Sequence, residues 1–139
     1  MAGNATKPRI AIVGAGIGGL TLALAFAKRG FPITVYERTK VLGEVGAGIT
    51  LWPNANKVLF SLGLKDELAR ISEVPVEQAM WHFATGEIFR RYPRGAAMWQ
   101  QYGAPLYQIH RRDLHDMLIA ALKREQPDAI KLAREVVAV

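Results

Sequence analysis

Residues 9–38 read RIAIVGAGIGGLTLALAFAKRGFPITVYER. An apolar run, Ile10 to Val13, meets a cluster of glycines at Gly14, Gly16, Gly18 and Gly19. Leu20, Ala23, Leu24 and Ala27 then share a helical face able to lie on a sheet. Gly30 is placed to end that helix in a left-handed conformation, and Pro32 bars its continuation. A second apolar run, Ile33 to Tyr36, stops at Glu37. The order is strand, tight turn, helix, strand, acid. In an α/β protein of Rossmann type this unit holds a dinucleotide. Gly14 permits the sharp turn, Gly16 lets a pyrophosphate reach backbone N–H groups, and Gly19 lets helix and sheet pack. The helix N-terminus offers unpaired donors and partial positive charge to the phosphates. Glu37 is placed to accept hydrogen bonds from ribose hydroxyls.

The run Ile10 to Ala27 is uncharged and about as long as a short membrane span, and Lys7 and Arg9 precede it. Its glycine cluster argues against a spanning helix, since each interior glycine costs about 1 kcal/mol relative to alanine. The reading is no membrane segment. With 139 residues, half of them apolar, the chain is long enough for a proper core. It has no cysteine, which excludes disulfides, thiolate nucleophiles and cysteine-held metals, and fits a cytoplasmic location. The net charge of +6 raises nucleic acid as a partner class. No aromatic-rich nucleic-acid motif accompanies Arg90-Arg91 or Arg111-Arg112, so the reading is no nucleic acid.

Residues 1–8 read as a loose polar leader and 9–139 as one nucleotide-binding domain, with 74–108 a β excursion. The run Ile10 to Val13 reads as a strand buried on both faces. The segment 41–51 is glycine-rich again and reads as a loop or short extended piece. A helix starts at Pro53, with Val58, Leu59 and Leu62 on its apolar face, and a shorter one covers 64–71. Residues 76–83 and 88–92 read as a hairpin, 93–105 as loop and 106–109 as a short strand. Asp113 reads as the N-cap of a helix carrying Leu114, Met117, Leu118, Ala121 and Leu122. Residues 130–132 and 135–139 read as strands. The three histidines, His82, His110 and His115, read as structural or solvent-facing, without metal-ligand spacing. Trp52, Trp81 and Trp99 read as core.

Four stretches carry a resemblance: residues 10–38, VGAGITLWPNANKVLFSLGL, HRRDLHDML and the closing LAREVVAV. In order and spacing the chain resembles the single-component FAD-dependent aromatic hydroxylases, the monooxygenases similar to salicylate hydroxylase and 6-hydroxynicotinate 3-monooxygenase. The resemblance implies that Gly14, Gly16, Gly18 and Gly19 surround the FAD pyrophosphate and that Glu37 holds the adenosine ribose. It implies Arg38 at the adenine end, Gly48 and Thr50 near the flavin side, Arg111 at the phosphate–ribityl region and Val136 against adenine through its backbone. It also implies NAD(P)H as reductant, O₂ as co-substrate and a small salicylate-like aromatic substrate.

Two departures qualify that resemblance. Some relatives carry a histidine base where this chain has Thr50, and threonine does not act as a base near neutral pH. No catalytic residue is therefore assigned. The Asp-Gly and Gly-Asp pairs of the family's later cofactor segments do not occur, so the chain reads as an N-terminal third, inactive by itself. Two other function classes remain open at this stage. One is an NAD-dependent or other flavin oxidoreductase sharing the Rossmann unit. The other is a non-catalytic nucleotide- or nucleic-acid-binding module.

Overall fold

The computed structural model describes residues 7–43 and 46–138. Most of the leader and part of the second glycine-rich segment therefore lie outside the described residues. The chain divides into two units, one of residues 1–45 with 112–139 and the other of residues 46–111.

The first unit is built on a parallel three-stranded sheet. Strand β1 (Ile10–Val13) leads through helix α1 (Ile17–Ala27) to β2 (Ile33–Tyr36). Helix α5 (Arg111–Glu125), which lies in this unit from its second residue, leads to β8 (Ile130–Lys131), and the sheet order is β1-β2-β8. The register runs Ile10 against Ile33 and Val13 against Tyr36, then Val35 against Ile130. Leu20, Ala23, Leu24 and Ala27 are all buried on α1. Removing a side chain such as Leu24 from water contributes roughly 1.5–3 kcal/mol, which offsets the glycines' poor helix propensity. Leu114, Met117, Leu118, Ala121 and Leu122 are buried on α5. Gln126 joins the end of α5 to the start of β2, accepting from Ile33 N–H at 3.0 Å and donating to the Phe31 carbonyl at 2.7 Å.

In the second unit an antiparallel sheet has the order β3-β7-β4: β3 (Gly48–Leu51), β7 (Tyr107–His110) and β4 (Ser72–Glu73). Helices α2 (Pro53–Ser61) and α3 (Lys65–Arg70) lie between β3 and β4 in the chain. A hairpin, β5 (Glu77–Trp81) and β6 (Ile88–Pro93), and helix α4 (Ala96–Tyr102) follow. Asn56, fully buried, ties this unit together. Its amide donates to the Leu51 carbonyl at 3.2 Å and the Pro105 carbonyl at 2.9 Å, joining the end of β3 to the segment entering β7.

Several sequence expectations need correction. Residues 93–105 are not all loop. Ala96–Tyr102 contain neither glycine nor proline, bury Met98, and are bracketed by Gly95 and Gly103, both at positive φ. Asp113 lies in the first turn of α5 rather than at its N-cap, because the helix begins at Arg111. Residues 135–138 form no strand. Ala133, at φ +51°, turns the chain out of the strand direction just before them. Val13 is 62% exposed, so β1 is not buried on both faces. Val58 points outward, and Asn56 takes the buried place on α2 beside Leu59. The tryptophans are not core. Trp52 carries the Arg94 guanidinium over its ring at 5.2 Å, Trp99 carries the Lys65 ammonium at 5.6 Å, and Trp81 is exposed on the hairpin. Such rings keep an apolar body beside a cation without leaving water.

Candidate functional site

The glycine turn is built by two kinds of glycine. Gly14 has φ +96°, a conformation that an L side chain rarely adopts, and its N–H donates to the Tyr36 carbonyl at 2.8 Å. A Cβ on Gly19 would sit 2.0 Å from the Gly14 carbonyl oxygen. These two glycines are demanded by the fold. Gly16 and Gly18 differ, since a Cβ on either would meet nothing within 4 Å. Gly16 is the N-cap of α1, with no side-chain cap and no acid in the first turn. The helix's first turn therefore has neither a side-chain cap nor an acid of its own to offset its partial positive charge.

Glu37 is held on every side. Its backbone N–H donates to the Lys131 carbonyl at 2.9 Å, and its carbonyl accepts from Arg134 N–H at 2.9 Å. The carboxylate Oε2 accepts from Ala15 N–H at 2.8 Å, and Oε1 accepts from Thr39 N–H at 2.9 Å. These donors, Ala15 first and then Thr39, hold the Glu37 carboxyl below its ordinary value of 4.5 against the opposing effect of burial. The lowered value keeps the carboxylate ionised at neutral pH, and each oxygen, accepting one N–H, keeps capacity for a hydroxyl donor. One cavity of about 300 Å³ has Val13, Gly14, Tyr36, Glu37, Arg38, Arg134, Glu135 and Val136 on its walls. Arg134 and the turn at Ala133 bring residues 134–136 to it, and Ala133 N–H is fixed to the Thr39 carbonyl at 2.9 Å.

Four expected residues, Gly14, Glu37, Arg38 and Val136, therefore line one cavity in the first unit, beside the turn that holds Gly16, Gly18 and Gly19. The other three lie in the second unit. Gly48 and Thr50 share the outward face of β3 with Gln108 and His110 of β7, pairing Gly48 with His110 and Thr50 with Gln108. An open groove of about 500 Å³ runs over that face, and Glu73 and Ile71 also border it. Arg111 follows β7 directly, its N–H donating to the Ala47 carbonyl at 3.2 Å.

Two residues outside the cavity's lining hold segments beside it, His115, whose reading as structural or solvent-facing resolves to structural, and Ala133. His115 is buried on α5, and its Nε2 lies 2.7 Å from the Ala15 carbonyl oxygen. Its position three before Leu118 and seven before Leu122, on the apolar face of a helix, was the available signal. Ala133 carries the positive φ, and nothing in an alanine announces that. Among the described residues no cluster of histidine, aspartate and glutamate is placed to hold a metal ion. No helix among them is long and apolar enough to cross a membrane.

The chain is similar to known proteins in sequence and in fold. Residues 12–64 match the NAD(P)-binding Rossmann-like domain family. The chain is 42% identical to 3-amino-4-hydroxybenzoate 2-monooxygenase of Streptomyces cremeus, over 89% of this chain and 35% of the relative. It is 37% identical to 6-hydroxynicotinate 3-monooxygenase of Pseudomonas fluorescens, over 89% of this chain and 31% of the relative. Among solved structures, 2-methyl-3-hydroxypyridine-5-carboxylic acid oxygenase superposes with a TM-score of 0.84 at 27% identity, covering 97% of this chain and 34% of that one. Klebsiella pneumoniae HpxO, complexed with FAD and uric acid, superposes with a TM-score of 0.78 at 27% identity, covering 94% and 32%. The chain thus spans about a third of the length of the relatives it matches.

Proposed function

We propose, from the premise that this chain belongs to the FAD-dependent aromatic hydroxylases and corresponds to their N-terminal portion, that it holds the adenosine diphosphate half of FAD in an NAD(P)H-dependent monooxygenase. The observation that carries this reading is the cavity beside the glycine turn. Gly16 and Gly18 leave open space at an uncapped helix N-terminus, and Glu37 and Val136 line the same cavity. Those donors and that acceptor match a pyrophosphate next to a ribose.

In this reading the N–H groups of the turn bind the pyrophosphate and Glu37 accepts from the ribose hydroxyls. Arg38 borders the adenine end, where Val136 contributes backbone. Gly48 and Thr50 serve the flavin side, and Arg111 sets a permanent charge by the phosphate–ribityl region. When bound, FAD supplies the redox chemistry that uses NAD(P)H and O₂. The chain's own contribution is to bind and orient. Thr50 supplies no base, so proton transfer falls to another group. The substrate class is a small hydroxylated aromatic acid, salicylate-like, supported by relatives named for hydroxybenzoate and hydroxynicotinate. A cytoplasmic location goes with this reading, as does the absence of nucleic-acid partners.

Titration calorimetry with FAD, ADP, FMN and NAD⁺ tests it. FAD binds and ADP competes for the same site, because the contacts made by this chain are to the adenosine half. FMN, which lacks that half, does not compete. A second reading, a plain NAD-binding domain, draws on the description of the matched family. Binding of NAD⁺ with no measurable FAD binding would establish that reading and exclude the first.

A further inference from the structure

Both backbone groups of Ala15 are taken by side chains. Its N–H donates to Glu37 Oε2 at 2.8 Å, and its carbonyl pairs with His115 Nε2 at 2.7 Å. Both Ala15 and His115 are buried, at 2% and 3% exposure. A carbonyl only accepts, so Nε2 carries the hydrogen in this pair. A neutral ring of that tautomer has its lone pair on Nδ1, and Nδ1 is buried with no hydrogen-bond partner. That lone pair is a cost. A leucine between Leu114 and Asp116 would continue the apolar face of α5 without it. The compensating contact of the imidazole is therefore the Ala15 carbonyl.

The consequence follows from the planarity of the peptide group. The Ala15 carbonyl and the Gly16 N–H belong to one trans peptide, in which C=O and N–H point in opposite directions. Drawing the carbonyl toward α5 turns the Gly16 N–H away from α5. Gly16 is exposed and has open space around its missing Cβ. We propose that His115 is a positioning residue that aims the Gly16 N–H at the cofactor's pyrophosphate by holding the preceding carbonyl. This rests on the FAD reading for the identity of the ligand. The orientation of the peptide itself does not depend on it.

The test uses this chain with His115→Leu, which fills the space, and His115→Gln, whose Nε2 amide restores a donor. Amide exchange at Ala15, buried and paired with Glu37, is followed without ligand as the reading of how firmly this turn is held, and FAD affinity is measured by titration. His115→Leu weakens FAD binding about tenfold and speeds Ala15 exchange by about the same factor, the size of one lost buried hydrogen bond. His115→Gln stays within about threefold of wild type in both. Nitrogen NMR of the wild-type ring shows its hydrogen on Nε2. Three results would overturn the proposal: unchanged exchange and affinity in His115→Leu, equal losses in the two variants, or an Nδ1–H ring. If His115→Leu fails to fold, the glutamine variant and the ring tautomer still decide. A wild-type chain that binds no FAD refutes the function proposed above and leaves exchange and tautomer to judge the role of His115.

Discussion

The chain has two glycine-rich stretches, and they are used differently. In the first, the fold itself needs Gly14 and Gly19, one for its positive φ and one for contact with the turn's own carbonyl. A Cβ on Gly16 or Gly18 would meet nothing within 4 Å, so these two leave open space. In the second stretch, a Cβ on Gly46 would meet the His110 ring at 2.7 Å, and one on Gly48 would meet only the Ile109 carbonyl at 3.8 Å. That stretch leads into an ordinary antiparallel strand. The first places backbone donors at the start of a helix; the second places a flat strand face under an open groove. Similar composition thus yields an uncapped helix N-terminus in one place and a strand surface in the other. What distinguishes them is whether a helix begins there, because a helix N-terminus concentrates unpaired N–H groups.

Substitutions can break that comparison. Gly19→Ala has the largest effect, a loss of about 3 kcal/mol in urea unfolding, since its Cβ cannot coexist with the Gly14 carbonyl at 2.0 Å. An unaltered midpoint would mean that the turn is not the one described. Glu37→Gln comes next. It swaps a charged acceptor for an amide beside two N–H donors, and stability falls by about 1–2 kcal/mol at neutral pH. The same variant carries a pH signature. Because the Glu37 carboxyl is held below its ordinary value, its contribution is complete above that value and is lost as pH falls through the lower, folded-state value. The stability difference between wild type and Glu37→Gln therefore closes on acidification. A difference that stayed constant with pH would separate Glu37 from the charge argument.

Gly18→Ala sharpens the contrast because two readouts move in opposite directions. Alanine in the first turn of α1 meets no neighbour, so stability rises by about 0.5–1 kcal/mol. FAD affinity falls by about tenfold, because the new methyl group occupies the open side of the turn. A loss of stability would show Gly18 to be a packing glycine like Gly19. Gly48→Ala is the smallest, with thermal unfolding unchanged within about 0.5 kcal/mol, as expected for an exposed strand position with ordinary contact distances.

Much of the first unit was legible in the residues. Leu20, Ala23, Leu24 and Ala27 repeat at helical spacing, and all four are buried. The second strand came out with its bounds, Ile33 to Tyr36, because proline and glutamate bracket it. The second unit was harder to read. Ala96–Tyr102 were hidden between glycines and prolines, and a helix of that length is held by tertiary burial of Met98 rather than by propensity. The tryptophans misled because bulk and apolarity do not say whether a lysine or arginine will lie over the ring.

By itself the sequence determined the strand–turn–helix–strand unit, the acid that follows it and the glycine-rich turn between strand and helix. Those features are local. A turn, a helical face and a strand end each involve residues within a few positions of one another, so spacing reports them. Tertiary structure alone decided that His115, 100 positions beyond Ala15, would hold its carbonyl. It also decided that Ala133, at positive φ, would bring Arg134 against the Glu37 backbone. Both follow from α5 and β8 returning to a sheet that was begun at β1. The return depends on apolar burial summed over the whole unit, and spacing along the chain carries no record of it.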